Sequence, residues 1–358
     1  MGVPVGAVSR RVVVPVAAAL VVSGGAAAWI ASGDEPAASS ALSGASTAAV
    51  PAPKLVIPVN FADPDVIKVG TTFYAYATNG HGKNMPVASA SSAKGPWTIH
   101  KADALPRLGA WARTGLTWAP DVSRRKDGKY VLYYTAQHAT KKLHCLGAAV
   151  AASPLGPFKP AGTKPLVCDA PKGATHPGLR GEIIDASSFV DGTRHYLLYK
   201  VGYNAYGKRS FLALQRMSAD GLTRVGAAKV ILAQTNEPYT VEAPDLARVG
   251  KRYVLFYSAG VFSKDNYQTR YAVASSVGGP YRKAAKPLMT TAGMHRRVNG
   301  PGGADAVFDS GAWRIFFHGA IVPGAHPKPD PSPFPKKLVR GMYVADLRWT
   351  KGGTPYVR

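Results

Sequence analysis

A hairpin unit written five times over is what most limits the fold open to this chain. The first copy reads Asp63-Pro-Asp-Val-Ile-Lys-Val-Gly-Thr-Thr-Phe-Tyr-Ala-Tyr-Ala-Thr78. The second runs from Ala119-Pro-Asp-Val122 through Asp127-Gly-Lys-Tyr130 to Tyr133-Tyr-Thr135. The third joins Asp185-Ala-Ser-Ser-Phe189 to His195-Tyr-Leu-Leu-Tyr199, and the fourth joins Glu242-Ala-Pro-Asp-Leu246 to Tyr253-Val-Leu-Phe-Tyr257. The fifth joins Ala304-Asp-Ala-Val-Phe308 to Trp313-Arg-Ile-Phe-Phe317. Each copy is a strand, a polar turn with glycine, and a second strand rich in aromatic and β-branched residues, the pattern of a β-hairpin.

Further strands are expected near Pro86–Ala90, Gly147–Ser153, Phe211–Met217, Tyr271–Ser276 and Met342–Leu347, several leading into a Gly-Pro-aromatic turn such as Gly95-Pro-Trp97. The acid near the start of each copy falls at positions 63, 121, 185, 242 and 305, so successive intervals are 58, 64, 57 and 63. Units of that length have room for four strands each, which predicts an all-β, five-bladed β-propeller. The alternative, a β-sandwich, requires the alignment of the five hairpins to be coincidence. Composition agrees, because 38 Gly and 29 Pro in 358 residues favour many turns over long helices.

Lys and Arg number 44 against 20 Asp and Glu, a formal charge of +24. That field attracts polyanions in general, including acidic polysaccharide. The basic residues are scattered, with short pairs such as Arg124-Arg125 and Lys336-Lys337, and no nucleic-acid module is recognisable. No specific nucleic-acid partner is therefore expected.

Residues 1–31 carry Ser9-Arg10-Arg11 followed by an uncharged apolar run from Val12 to Ala31, which reads as a signal peptide for export. A run of that length is also long enough to remain as a membrane segment, in which case the protein is anchored at the cell surface. Residues 32–54, rich in Ala, Ser and Pro, read as a linker, so the folded domain is expected over 55–358. Export gives Cys145 and Cys168 an oxidising setting, and a disulfide between them is expected; two free buried thiols are the alternative.

In a propeller, residues that begin the innermost strands meet at one end of the central channel. Asp63, Asp121, Asp185, Glu242 and Asp305 were placed by the repeat at equivalent points, which predicts a convergent acidic cluster. Three readings stand on geometry alone. Two carboxyl groups, one ionised and one protonated, can hydrolyse a glycosidic bond. The cluster can bind calcium. Each acid can instead cap backbone donors within its own repeat.

The strings Phe61-Ala-Asp63-Pro-Asp65-Val-Ile67, Trp118-Ala-Pro-Asp121-Val122, Ile184-Asp185-Ala-Ser187 and Val241-Glu242-Ala-Pro244 resemble glycoside hydrolase family 43. Phe317-His318-Gly319 and Arg340-Gly-Met-Tyr343 are similar to that family's last blade. The resemblance implies a five-bladed propeller that inverts configuration while releasing α-L-arabinofuranosyl or β-D-xylosyl units. It matches Asp63 to the general base, Glu242 to the general acid, and Asp185 to the residue that orients the acid and raises its pKa.

Trp118 is a candidate for stacking on a sugar face, with a core tryptophan as the alternative. His318 is expected to face the channel or to be a satisfied core histidine. Arg340 is expected to hold a substrate hydroxyl or a catalytic carboxylate, or else a surface ion pair. Where many relatives read Gly-Pro-Gly-His and in some of them use that histidine for a channel metal, this chain reads Gly300-Pro-Gly-Gly303. No metal ligand is assigned and no cofactor is expected to be required. The expectation is a secreted, monomeric, inverting and exo-acting glycosidase on plant-derived oligo- or polysaccharide, α-L-arabinofuranosidase before β-xylosidase. An endo-acting arabinanase and a non-catalytic glycan-binding propeller are the rivals.

Overall fold

The computed structural model describes residues 53–171, 182–204, 209–321 and 338–358. Residues 1–31, expected to be an export signal, and the expected linker up to residue 52 lie outside the described residues. The rest is strand and turn, gathered into five antiparallel sheets that follow one another along the chain.

Blade I is Asp65–Val69, Thr72–Tyr76, Val87–Ala90 and Thr98–Ile99. Blade II is Ala112–Arg124, Tyr130–His138, His144–Ala151 and Lys159–Pro160. Blade III is Glu182–Asp191, Arg194–Gly202, Ser210–Met217 and Arg224–Ala233. Blade IV is Val241–Val249, Arg252–Ala259, Gln268–Ala274 and Arg282–Lys283. Blade V is Asn299–Asp309, Ala312–Ala320 and Arg340–Trp349. Its outer edge comes from both ends of the domain: Lys54–Ile57 pairs with Met342–Val344, and Pro355–Val357 pairs with Leu347–Trp349. The first described strand thus closes the ring on the last blade.

The apolar core is divided among the blade interfaces. Tyr76 and Val87 of blade I pack with Val122, Leu132 and Tyr134 of blade II. Val131, Tyr133 and Leu146 meet Ile183, Leu197 and Tyr199 at the next interface. Leu198 and Leu212 meet Leu255 and Tyr257, and Val254 and Phe256 meet Ile315 and Phe317. Phe316 and Val344 close the circle on Val66 and Phe73. A middle strand is covered by a neighbouring blade on each face, which is why strands such as Tyr130–His138 are buried almost end to end instead of alternating. Burying each such large side chain stabilises by roughly 1.5–3 kcal/mol.

The Gly-Pro-aromatic turns link the third and fourth strands of blades I, II and IV, with cis bonds at Gly95-Pro96, Gly156-Pro157 and Gly279-Pro280. The expected disulfide forms, joining Cys145 on the third strand of blade II to Cys168 on the segment beside it.

The repeat holds, but its register needs correction. Asp63, Ala119, Asp185, Ala243 and Gly303 are the true equivalents, each in the left-handed region with φ of 52°, 41°, 58°, 48° and 58°. In blades II to V each lies in a β-bulge of the innermost strand, between Trp118 and Asp121, Ile184 and Ser187, Glu242 and Asp245, and Gly302 and Asp305. Glu242 therefore sits one residue before that point, and Asp121 and Asp305 two after it. Aligning the acids by type hid this offset.

The offset separates two jobs. Two residues past the bulge, carboxylates bind the next blade: Asp65 accepts the N–H of Val122 at 2.9 Å, Asp121 that of Ser188 at 2.7 Å, Asp245 that of Ala306 at 2.9 Å and Asp305 that of Val66 at 2.7 Å. For these acids the capping reading is the right one, carried out between blades instead of within them. In blade III Ser187 takes the place of an aspartate in this ring.

Candidate active site

The strand starts converge as a propeller requires. Asp63, Asp185 and Glu242 line one cavity of about 460 Å³, together with Trp118, Tyr267 and Arg340. A second cavity, of about 440 Å³, continues along the axis past the ring of Asp65, Asp121, Asp245 and Asp305, and shares Asp63 and Asp185 with the first. The three matched acids thus face a common space although they are remote in sequence.

Asp63 is held as an anion. Arg340 donates from Nη1 to Oδ1 at 3.1 Å and from Nη2 to Oδ2 at 3.4 Å, and the Thr78 hydroxyl donates to Oδ2 at 2.6 Å. Burial works to raise its pKa, but the Arg340 guanidinium, the nearby His318 and the Thr78 bond outweigh it and leave the carboxyl below its usual range. The His318 ring is itself kept uncharged, its pKa pushed down to about 3 by burial and then by Arg340. We therefore assign the ionisation of Asp63 to Arg340 and Thr78, with His318 accepting the Asp63 main-chain N–H on Nδ1 at 3.0 Å.

Glu242 is almost wholly buried, at 4% exposure. Tyr267 donates its hydroxyl to Oε1 at 2.9 Å, and the Asn204 side-chain amide donates to Oε2 at 2.9 Å. Burial nevertheless raises its pKa against the opposing pull of Lys200 and these donors. Asp185 accepts the Ala243 N–H on Oδ2 at 2.9 Å. Its pKa is pushed up to about 8, by burial first and then by the charges of Glu242 and Asp63. The resemblance assigns Asp185 to orient Glu242 and raise its pKa. Glu242 is buried and Asp185 half-buried, and each carboxyl is raised above its usual range, Asp185 partly by the charge of Glu242.

The remaining expected residues fall around this centre. Trp118 is half-buried in the cavity wall, and its ring stacks on His144 at 3.9 Å. His144 takes Nδ1 to the Glu182 carboxylate. His318 is fully buried and stacks on Tyr267 with centroids 5.8 Å apart. The Arg340 guanidinium also lies over the Phe262 ring at 5.1 Å, so it belongs to the cavity and not to a surface pair. The loop residues Asn79 and Asn204 contribute to the lining, and residues 205–208 lie outside the described residues.

Sequence reasoning missed Thr78, Lys200, Asn204, Tyr267 and Glu182. Lys200 was the legible one: a lysine directly after His195-Tyr-Leu-Leu-Tyr199 interrupts a strand that is otherwise apolar. Thr78, Asn204 and Tyr267 lie in loops and Glu182 at the start of a strand, with nothing in their spacing to mark them.

These residues do not fit a channel calcium. Gly303 has no side chain to offer, and a Cβ there would lie 2.8 Å from His318 Nδ1. Asp305 is engaged by the Val66 N–H, and Arg340 Nη1 stands 3.3 Å from His318 Nε2, a fixed positive charge where a cation would have to sit. Among the described residues no group of three or more His, Cys, Asp or Glu side chains is arranged to hold a metal.

Fold and site together define a five-bladed propeller with acids of opposite protonation demand around one axial cavity. The chain belongs to the Glycosyl hydrolases family 43, which matches residues 52–355. It is 27% identical over 280 residues to a probable arabinan endo-1,5-alpha-L-arabinosidase A of Aspergillus flavus, covering 72% of this chain and 81% of that protein. It is 25% identical over 312 residues to extracellular endo-alpha-(1->5)-L-arabinanase 1 of Bacillus subtilis, covering 82% and 87%. Among solved structures, a thermostable family-43 glycoside hydrolase superposes with a TM-score of 0.68 at 22% identity, covering 84% of this chain and 93% of that one. The chain is a glycoside hydrolase by family, and its substrate is a glycan.

Proposed function

We propose that this protein is an exported, inverting, endo-acting hydrolase of α-1,5-linked L-arabinan. Asp63 is the general base that draws a proton from water, and Glu242 is the general acid that protonates the departing oxygen. Asp185 holds the acid's proton in reserve and orients it.

One observation carries this reading. Arg340 and Thr78 hold the Asp63 carboxyl below its usual pKa range, whereas burial raises that of Glu242 in the same cavity. General acid–base hydrolysis needs that division, and inversion needs space for a water between the two carboxyls, about 6.5–9.5 Å. The relatives supply the linkage: both bear endo-1,5-arabinan names, which favours endo over the exo action expected from sequence. The extracellular Bacillus subtilis relative supports reading residues 1–31 as an export signal.

The test is digestion of linear α-1,5-arabinan with products resolved by size and by anomer. Mixed arabino-oligosaccharides of inverted configuration support the proposal. Arabinose as the sole early product returns the reading to exo action. Glycan binding without turnover of arabinan or of nitrophenyl arabinofuranoside and xyloside leaves only the binding propeller.

A further inference from the structure

Across the blades, a slot on the second strand, or in blade I just past its end, faces the channel mouth, and its occupant accepts the N–H of the left-handed residue in the next blade. Thr78 accepts from Ala119 at 3.0 Å, Thr135 from Asp185 at 3.1 Å, Ser258 from Gly303 at 2.9 Å and His318 from Asp63 at 3.0 Å. In blade III the slot belongs to Lys200, opposite Ile184 in the same register that puts Thr135 opposite Trp118.

An ammonium group has no acceptor, so Lys200 cannot do what the slot does elsewhere. The Ala243 N–H turns instead to Asp185 Oδ2, at 2.9 Å. The requirement of the fold is a hydroxyl or an imine nitrogen, and it does not account for a lysine. Lys200 is wholly buried, a costly place for a cation without partners. Its Nζ donates to Asn204 Oδ1, and the Thr240 hydroxyl lies between that oxygen, at 3.2 Å, and Ser210 Oγ, at 3.0 Å. With its oxygen held by the Lys200 ammonium, the Asn204 amide presents Nδ2–H to Glu242 Oε2, at 2.9 Å.

We propose that Lys200 is a positioning residue for the general acid, acting through Asn204 to set the direction of the Glu242 carboxyl and, by its charge, the strength with which Glu242 keeps its proton. This rests on Glu242 being the proton donor. The charged and titratable groups around Glu242 are Asp63 from blade I, Asp185, Glu182 and Lys200 from blade III, Tyr267 from blade IV, and His318 with Arg340 from blade V. Lys200 is the cation placed among Asp185, Glu182 and Glu242, and all three counter the burial that lowers its own pKa.

The test exploits the scarcity of glutamate, since the full chain has four, at positions 35, 182, 237 and 242. With δ-carbon-13 glutamate, Glu242 can be titrated by NMR and assigned through Glu242→Gln. Lys200→Thr restores the residue that blades I and II carry in this slot, so the fold keeps its acceptor. The Glu242 midpoint is expected to rise by about one pH unit or more, as for loss of an opposite charge at close range. Hydrolysis of arabino-oligosaccharides should fall on the order of ten- to a hundred-fold, and that of a nitrophenyl arabinofuranoside much less.

Asn204→Leu keeps the charge and removes the link, so it should reproduce the leaving-group dependence with a smaller midpoint change. It also keeps the test open if Lys200→Thr does not fold. An unmoved Glu242 midpoint together with equal losses on both substrates, in whichever of the two variants folds, overturns the proposal. A moved midpoint in a protein whose wild type hydrolyses no arabinan removes the donor role of Glu242 and leaves the coupling to Lys200 intact.

Discussion

Arg340 and Asp63 stand 277 positions apart in the chain and meet side by side, Nη1 on Oδ1 at 3.1 Å and Nη2 on Oδ2 at 3.4 Å. The third strand of blade V delivers the arginine and the entry to blade I delivers the aspartate. Closure of the ring by Lys54–Ile57 on blade V therefore also assembles the ionised half of the site.

Arg340→Met should raise the pKa of Asp63, because burial then acts without its main opponent. A base must be deprotonated to work, so the acid limb of kcat/KM should move to higher pH by about one unit or more. Activity at mildly acidic pH falls more than activity at neutral pH. A pH–rate profile from pH 3.5 to 8 checks this, and an acid limb that stays in place would remove Arg340 from the role.

Glu242→Gln removes a proton donor and leaves the shape of the site. The loss should be on the order of a hundred- to ten-thousand-fold on arabinan, where the departing sugar oxygen needs a proton. It should be much smaller on nitrophenyl arabinofuranoside, whose leaving group departs as an anion. Equal losses on the two substrates would argue that Glu242 is not the acid.

Most of the architecture could be read from the sequence because a propeller repeats its hairpins, and Tyr130–Thr135 or Tyr253–Tyr257 announce themselves by aromatic and β-branched runs. The three matched acids were legible for the same reason: Asp63 and Glu242 sit in Asp-Pro and Glu-Ala-Pro strings, and Asp185 opens the Asp-Ala-Ser copy of the same repeat. What was not legible depends on which atom faces which. The two-residue offset between Asp185 and Asp121 arises from a bulge and a positive φ, and neither has a residue-type signature when Asp, Ala and Gly all occupy the position. Thr78 and Asn204 act through hydrogen bonds across blades and Tyr267 through one across its own blade, and spacing along one chain carries no trace of such contacts. The strand Lys54–Ile57 was hidden by its proline-flanked setting at the border between the expected linker, which ends at residue 54, and the folded domain.

The disulfide spans 23 positions and ties the third strand of blade II to the segment that leaves that blade. Replacing both Cys145 and Cys168 by Ala should lower stability by roughly 3 kcal/mol on the chain-entropy account, mainly by freeing the unfolded chain. Urea unfolding of the double variant against the oxidised wild type measures it, with catalysis at low temperature largely preserved. A wild type insensitive to reducing agent in the same assay would show that the bridge contributes little.

The ring of Asp65, Asp121, Asp245 and Asp305 makes stability depend on pH in an unusual direction. Burial pushes Asp121 up to about 6 and Asp245 up to about 7, and raises Asp65 and Asp305 as well, with mutual repulsion adding to three of them. An unfolded aspartate titrates near about 3.9, so between that pH and the raised folded values the native state binds more protons than the unfolded one. The contribution of the ring is therefore present at low pH and declines as pH rises from about 4 to about 7. Asp63 and Glu182, whose pKa values are lowered, act in the opposite sense, so a difference between proteins is the informative quantity. Asp245→Asn keeps an oxygen for the Ala306 N–H and removes one titrating group. Its stability relative to wild type should climb steadily across that window when urea midpoints are compared at pH 4.5 and pH 7. Asp245→Ala in addition orphans the N–H and should cost about 1–3 kcal/mol more than the Asn variant at either pH. If the Asn variant keeps a constant offset from wild type between the two pH values, Asp245 does not carry its proton into the folded state.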